Sequence, residues 1–433
     1  MNHMRTIIQR TPEFAGMALG GIGTGTVEIF PDGRLNNWSI FNRGKWASRS
    51  PEQDHLEDIP DFPEELLCFY LRTCAEGGEP IVRKLSYDSP NRLGCFRSAM
   101  YSWMKCVPEI AWTPSFPAAL LEYRDPDLPV RVSAEYISPF VPHDARVSGT
   151  PGLSINYTIT NCAQSPVTVS LLGLMQNPVC RGVPRRELVN RFSRLSGASM
   201  ITMSSASEEA LPQNGSVSLM AVGGEHSYIC GDFEAYLKAY VLGWELGTTE
   251  ESRLFDFRKT GRLPNLGWES LPDLSEFTPD KIDKMEEGQI EAWLALMLKA
   301  AWGANPWKRL CELDPCPVET IGGKRTFLKM LASQYQEFTA PNHPEHSEWG
   351  GCGLCSAVTL QPGETKELSF LLGWYFPHHI SPTGQTVGHQ YENWFSNSGE
   401  VCSFLAENYQ SIFPRAKEFS QLLGETDAPA VHI

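Results

Sequence analysis

The sequence predicts a mainly β fold, a large antiparallel β-sandwich with inserted helices and a C-terminal helical segment. Three observations predict it. The 36 Gly and 32 Pro among 433 residues are spread without a period, the texture of many short strands joined by turns. Between Gly152 and Thr160 the chain alternates, with Leu153, Ile155, Tyr157 and Ile159 on one parity and Ser154, Asn156, Thr158 and Thr160 on the other, as in a half-buried strand. Helical periodicity is marked in only two places, around Ile290 and after Ser398.

Taken in order, Thr24 to Phe30 reads as a strand closed by Pro31-Asp32-Gly33, Leu66 to Thr73 as one closed by Gly77-Gly78, and Ala118 to Tyr123 as one closed by Asp125-Pro126-Asp127. Asn161 opens a turn after the alternating strand, and Val167 to Leu174 is the next strand. The two together are expected to form an antiparallel hairpin. From about residue 245 the texture changes. Glu250 to Lys284 is charged and interrupted by Pro, the pattern of loops and short helical turns lying over the sheet. Ile290, Trp293, Leu294, Met297 and Ala301 then form one apolar helical stripe that stops at Gly303 and is expected to pack on the sheet. Strand texture returns at Ser356 to Leu360 and at Glu367 to Phe376, around the turn Gln361-Pro362-Gly363-Glu364. In Ser398 to Leu423, Val401, Phe404, Leu405, Ile412, Phe413, Phe419 and Leu423 recur at helical intervals, with a break or kink expected near Pro414. The expected organisation is a sandwich domain over 1–390, with a helical and loop insertion at about 250–345, followed by a helical linker over 391–433. No internal repeat or low-complexity tract is visible.

Acids outnumber Lys and Arg by 51 to 36, a net charge of −15, so attraction to nucleic acid or to an anionic membrane is not expected. No run is apolar for long enough to serve as a signal peptide or a membrane span, and the expectation is a cytoplasmic chain. Its 12 Cys are then expected as buried thiols rather than as a disulfide frame.

Gly20-Gly21-Ile22-Gly23-Thr24-Gly25 has the look of a phosphate-cradling loop. Such a loop must open a helix, whereas Thr26 to Phe30 is β-branched and runs into a Pro-Asp-Gly turn. Clustered glycine also suits a backbone passing tightly against another surface, a sugar or a neighbouring domain, and that reading is preferred. His343, His346, Cys352 and Cys355 are by residue type a tetrahedral zinc set, the weak metal candidate of the chain, set against two loop histidines and two core thiols. No cofactor is expected. Gly-x-Ser-x-Gly and His-Glu-x-x-His are both missing from the sequence, which removes support for acyl transfer and zinc proteolysis. Asp232 and Glu234 share one face of an expected strand. Two acids so placed usually form a solvated edge, and glycoside hydrolysis needs two facing carboxyls that spacing alone cannot supply.

Four blocks in order resemble the N-terminal half of glycoside hydrolase family 116, the family of the non-lysosomal glucosylceramidase and its bacterial β-glucosidase relatives. They are Leu19 to Gly25 with Gly33 to Asn42; Phe116-Pro117 through Tyr123 and Leu128-Pro129-Val130 to Ser138-Pro139-Phe140-Val141-Pro142-His143-Asp144; Thr158-Ile159-Thr160-Asn161; and Gly373 to Pro377 with Tyr391 to Phe395. The resemblance implies an N-terminal β-sandwich, a helical linker, and an (α/α)6 barrel that carries the nucleophilic Glu and the acid/base Asp of a retaining mechanism. After Gly424-Glu425-Thr426-Asp427 the family enters that barrel, while this sequence stops at Ile433, so no position here is expected to inherit a catalytic acid. The stretch from Cys311 to Cys355 matches nothing in the family pattern.

The expected function is that of a non-catalytic β-sandwich half of a β-glucosidase-like enzyme, docking to a barrel from another chain or left without one. Gly20, Gly21, Gly23, Gly25, Arg34, Asn37 and Trp38 are its candidate surface at the sugar cleft or domain interface. The alternative is a free-standing carbohydrate-binding module taking a β-glucoside or oligosaccharide on exposed Trp or Tyr faces. A third reading is a complete hydrolase with its own acids in an unfamiliar arrangement.

Overall fold

A computed structural model describes residues 7–9, 16–42, 66–87, 105–180, 188–230, 257–263, 265, 277–302, 317–320, 322–338, 351–381 and 383–425. The chain begins with β1 (Ile7–Gln9), β2 (Met17–Leu19), β3 (Val27–Ile29) and β4 (Leu35–Asn36). Next come β5 (Leu67–Ala75), β6 (Ile81–Lys84), β7 (Lys105–Cys106), β8 (Glu109–Ser115), β9 (Ala118–Arg124) and β10 (Val130–Ile137). A single helical turn, α1 (Ala145–Ser148), leads to β11 (Gly152–Asn161), β12 (Val167–Gln176), β13 (Leu188–Leu195), β14 (Ala198–Ser205), β15 (Ser216–Val222) and β16 (Glu225–Cys230). Among the described residues a helical turn at 257–260 follows, then α2 (Pro279–Asp283), α3 (Glu287–Trp302), α4 (Pro317–Thr320) and α5 (Lys324–Phe338). The strands resume with β17 (Gly351–Leu360) and β18 (Thr365–Tyr375), and α6 (Ser398–Glu407) and α7 (Tyr409–Gly424) end the described chain.

Among the described residues one sheet has nine strands in the order β1-β8-β9-β10-β11-β18-β15-β14-β13, and a second has six in the order β16-β17-β12-β5-β6-β7. β2, β3 and β4 form a small third sheet. Every pairing is antiparallel except β6 with β7, so the expected antiparallel sandwich is what the chain builds. The core lies between the two large sheets. There Phe69 meets Phe370 at 5.1 Å and Tyr157 at 5.4 Å between ring centroids, both rings crossing at steep angles that suit their quadrupoles.

The expected hairpin does not form. β11 pairs with β10 and β18 in the first sheet, whereas β12 pairs with β5 and β17 in the second, so the turn at Asn161 crosses between sheets. The turn between β17 and β18 makes the same crossing beside it, and Asn161 pins the two arches together. Its Nδ2 donates to the carbonyls of Leu360 (3.0 Å) and Ser165 (2.9 Å), and its Oδ1 accepts from the Ala163 N–H (2.8 Å). Its own N–H reaches the Glu364 carbonyl at 2.9 Å. A polar turn of this length serves an arch as well as a hairpin, and alternation says nothing about which sheet a strand joins.

The polar parity of β11 is also less exposed than its pattern implies. Ser154 and Asn156 are buried, because the outer face of the first sheet is covered by α6 and α7. Val401, Cys402 and Leu405 of α6 and Ile412, Phe413 and Ala416 of α7 pack there with Met220 and Leu371. The helical break falls at Asn408, not at Pro414. Asn408 caps α6 by donating from Nδ2 to the Phe404 carbonyl (2.9 Å), while Pro414 sits inside α7, where it removes one hydrogen bond to the exposed Gln410.

Of the stripe on α3, Ile290 and Leu294 are fully buried and Trp293 is half-buried. Its principal partner is α5 rather than the sheet, and Trp293 meets Phe277 edge-on at 4.6 Å. The sequence reading gave no separate place to α5, whose Phe327, Leu328 and Leu331 are buried.

Candidate functional site

The glycine-rich segment is the loop between β2 and β3. It passes so close to its surroundings that a Cβ at Gly21 would stand 2.3 Å from the Thr150 carbonyl oxygen. Gly20 and Gly25 are equally hemmed in, the first by Trp374 and the second by the Ser39 carbonyl. Gly23 differs. Open space surrounds it, and its φ of 72° is what calls for glycine. Hydrogen bonds fasten the loop at each step: Gly20 N–H to Ser138 Oγ (3.0 Å), Ile22 N–H to the Ser148 carbonyl (2.6 Å), and Thr24 Oγ1 to the Gly21 carbonyl (2.9 Å). From this fixed frame Ile22 projects with 66% of its surface exposed.

The other candidate residues lie elsewhere on the small sheet. Trp38 is fully buried and donates Nε1–H to the Leu35 carbonyl at 3.1 Å, so it has no face for a sugar. Arg34 is buried as well. Asn37 is half-buried, with a left-handed φ of 51°, and donates from Nδ2 to Glu28 Oε2 at 3.0 Å. The structure therefore unites the four glycines in one loop and buries Trp38 and Arg34 away from any surface.

Beside this loop stands a second one, 377–389, after β18. It folds back through the Ile380–Thr386 bridge and through the Val387 N–H to the His379 carbonyl (2.9 Å), leaving Ile380 and Val387 exposed. His389, at the end of this loop, sets its Nε2 2.6 Å from Oδ1 of Asn42, which follows the small sheet. Sequence reasoning missed His379 and His389, since 347 residues separate His389 from Asn42 and neither belongs to a spaced motif. What the two loops offer is three bare aliphatic side chains, Ile22, Ile380 and Val387, on hydrogen-bonded backbones.

The four metal candidates do not come together among the described residues. Cys352 faces the core between the sheets, whereas Cys355, three positions along the same strand, lies on the opposite face with Phe257 and Leu263. Burial pushes the Cys355 thiol up to about 12, and it bonds the Gly261 carbonyl. His343 and His346, like Asp232 and Glu234, lie outside the described residues.

Comparison with known proteins agrees with the resemblance. The family model described as beta-glucosidase 2, glycosyl-hydrolase family 116 N-term matches residues 16–282 and 326–412. The match takes in both loops and every strand but β1, and it omits α3, α4 and most of α7. It also covers 326–355, so that part of the stretch from Cys311 to Cys355, expected to match nothing in the family, does match. No curated protein matches. Among solved structures, a polysaccharide lyase is similar at a TM-score of 0.27 and 9% identity over 86% of this chain, which spans 33% of that lyase's length. With most of its length matched by that model, the chain belongs to the glycosyl-hydrolase family 116 N-terminal domain family.

Proposed function

We propose that this chain is the non-catalytic β-sandwich half of a family-116-type retaining β-glycosidase. It docks on a catalytic (α/α)6 barrel and forms one wall of the sugar cleft. Membership of the N-terminal domain family supports a companion catalytic domain. The observation that carries the docking face is Ile22, held 66% bare at the tip of a loop fastened by hydrogen bonds at Gly20, Gly21, Ile22 and Thr24. An isolated exposed aliphatic residue is ordinary. One presented on a pinned loop, with Ile380 at 42% and Val387 at 58% exposure on the loop after β18, is suited to a partner.

The reading assigns no hydrolytic step to the chain itself and gives the Glu and Asp of the retaining mechanism to the barrel. It is tested by assaying β-glucoside hydrolysis with the chain alone, with a family-116 barrel alone, and with both. The expected result is turnover that requires the barrel and rises when the sandwich is added. Turnover by the sandwich alone would overturn it. The carbohydrate-binding alternative has less support at this face, because Trp38 and Trp374 are both buried there. Titration with cellobiose is expected to leave tryptophan emission unchanged.

A further inference from the structure

Cys230 and Cys352 face each other across two neighbouring strands. β16 runs antiparallel to β17, and the register sets Cys230 directly opposite Cys352. Both side chains are turned to the core between the large sheets, each with 2% of its surface exposed, and both are thiols in this structure. Directly opposed residues of an antiparallel pair have Cα atoms about 4.5 or about 5.5 Å apart, according to which hydrogen-bonding position they occupy. A disulfide spans Cα separations of about 4.4–6.8 Å, so either position is compatible with a bond between the sulfurs. Its Cβ atoms sit about 3.5–4.5 Å apart and those of opposed residues about 4.5–5.5 Å, so the strands need to close by only about 1 Å.

The register also fixes which thiol is the partner. On its other side Cys352 stands opposite Met175 of β12, a thioether that cannot form a disulfide. Cys180 belongs to the same core cluster, but it lies beyond the end of β12, outside the ladder that opposes Cys230 and Cys352. Cys355 lies on the other face of β17. β16 is the edge strand of its sheet and Cys230 is its last residue, so fraying of one strand end, rather than disruption of the whole core, opens the pair to a reagent. The chain leaves the sheet after Cys230 and rejoins it at Gly351, with α2 to α5 in between, so the pair stands at the base of that insertion.

We propose that Cys230 and Cys352 are a dithiol site that a small disulfide such as oxidised glutathione converts into a cross-strand disulfide, clasping the base of the insertion. One thiol, as its thiolate, attacks a sulfur of the small disulfide. That S–S bond breaks, a mixed disulfide forms, and one small thiol leaves. The second thiolate then attacks the protein sulfur of the mixed disulfide, which makes the Cys230–Cys352 bond and releases the second small thiol. In sum, two thiol protons and two electrons pass from the protein to the oxidant. The new bond ties β16 to β17 and closes a long ring over 231–351, which restricts the unfolded chain more than the folded one. The site belongs to the sandwich itself and does not depend on a barrel docking at Ile22.

The test equilibrates the full folded chain with reduced or with oxidised glutathione, blocks the remaining thiols at acid pH, and digests without reduction for mass spectrometry. The expected result is a peptide pair joined through Cys230 and Cys352, present with oxidised glutathione and lost after dithiothreitol. The oxidised chain is also expected to unfold at a higher urea concentration than the reduced chain. Cys352→Ser is expected to lose both the joined peptides and the oxidant-dependent shift. Each chain is compared with itself under the two conditions, so a change in the variant's own stability does not disturb the reading. Cys230 and Cys352 left unjoined at saturating oxidised glutathione, a bond from either of them to Cys180, or an equal urea shift in Cys352→Ser would each overturn the site.

Discussion

The Trp374 indole N–H donates to the Thr24 carbonyl at 2.7 Å, and the six-membered edge of the same indole lies where a side chain on Gly20 would have to go. One buried residue at the end of β18 thereby fastens the glycine-rich loop at two points, although 350 residues separate Trp374 from Thr24. The loop owes its shape to this contact, and its exposed tip is a consequence of its fixed base.

Trp374→Phe keeps an aromatic ring and removes the donor, leaving the buried Thr24 carbonyl unsatisfied. The expected loss is about 1–3 kcal/mol in urea unfolding. Exchange at the Ile22 and Thr24 amides is expected to rise more than exchange in β14, two strands away from β18 in the nine-stranded sheet. Equal loosening everywhere would show that Trp374 is general packing rather than a fastener.

Asn161 holds two sheet-crossing arches with one side chain. Asn161→Ala orphans the Leu360 and Ser165 carbonyls and the Ala163 N–H, so a loss of about 3 kcal/mol is expected from equilibrium unfolding. Asn161→Asp keeps the acceptor and loses the donor, and it is expected to fall between the two. A cost below 1 kcal/mol for Asn161→Ala would mean that water or neighbouring groups replace the lost bonds.

Arg83 and Asp125 form the ion pair that ties β6 in the second sheet to the turn between β9 and β10 in the first, at 2.6 Å with 8% and 2% of their side chains exposed. Asp125→Ala removes the buried partner and leaves the buried guanidinium only the exposed Asp127 (3.0 Å) and the Val82 carbonyl, so a cost of about 3 kcal/mol is expected, at the low end for a broken buried pair. Arg124 pairs with Glu109 and Glu122 in the open, and Arg124→Ala is expected to cost less than about 1 kcal/mol. Chemical denaturation of the two variants side by side measures the contrast.

Burial raises the Tyr123 and Tyr157 hydroxyls well above the ordinary tyrosine value. A raised folded value means that the unfolded chain gives up the proton first. The stabilisation is therefore complete below the ordinary value near 10 and is lost as pH climbs past it. Absorbance at the tyrosinate band is expected to show these residues ionising only with unfolding, as an alkaline transition coincident with the loss of circular dichroism. Smooth titration of every tyrosine in the folded protein would contradict this.

Much of the fold was legible because its signals are local. The alternation of Leu153, Ile155, Tyr157 and Ile159 identifies a strand by its own period, and the stripe from Ile290 identifies a helix in the same way. What pairs with the strand is not local, and Asn161 reads equally as a hairpin turn or an arch. Ser154 and Asn156 looked solvent-facing because nothing near them in sequence announces that α6 and α7 will cover them. At the candidate site the crowding of Gly20, Gly21 and Gly25 was legible from composition, since only a backbone pressed on its surroundings needs so many. Trp38 was misleading, because a buried tryptophan and a sugar platform share one letter. Asn42 and His389 meet only through the assembled sheets, so no spacing could have joined them.

The most direct test of the docking account is sedimentation of the chain mixed with a family-116 (α/α)6 barrel, comparing the unaltered sequence with Ile22→Asp. The account predicts a complex with the unaltered chain and a loss of binding on the order of tenfold or more with Ile22→Asp, whose fold is unchanged because that side chain already faces solvent. Two species that sediment independently with the unaltered chain, or a complex indifferent to Ile22→Asp, would contradict it.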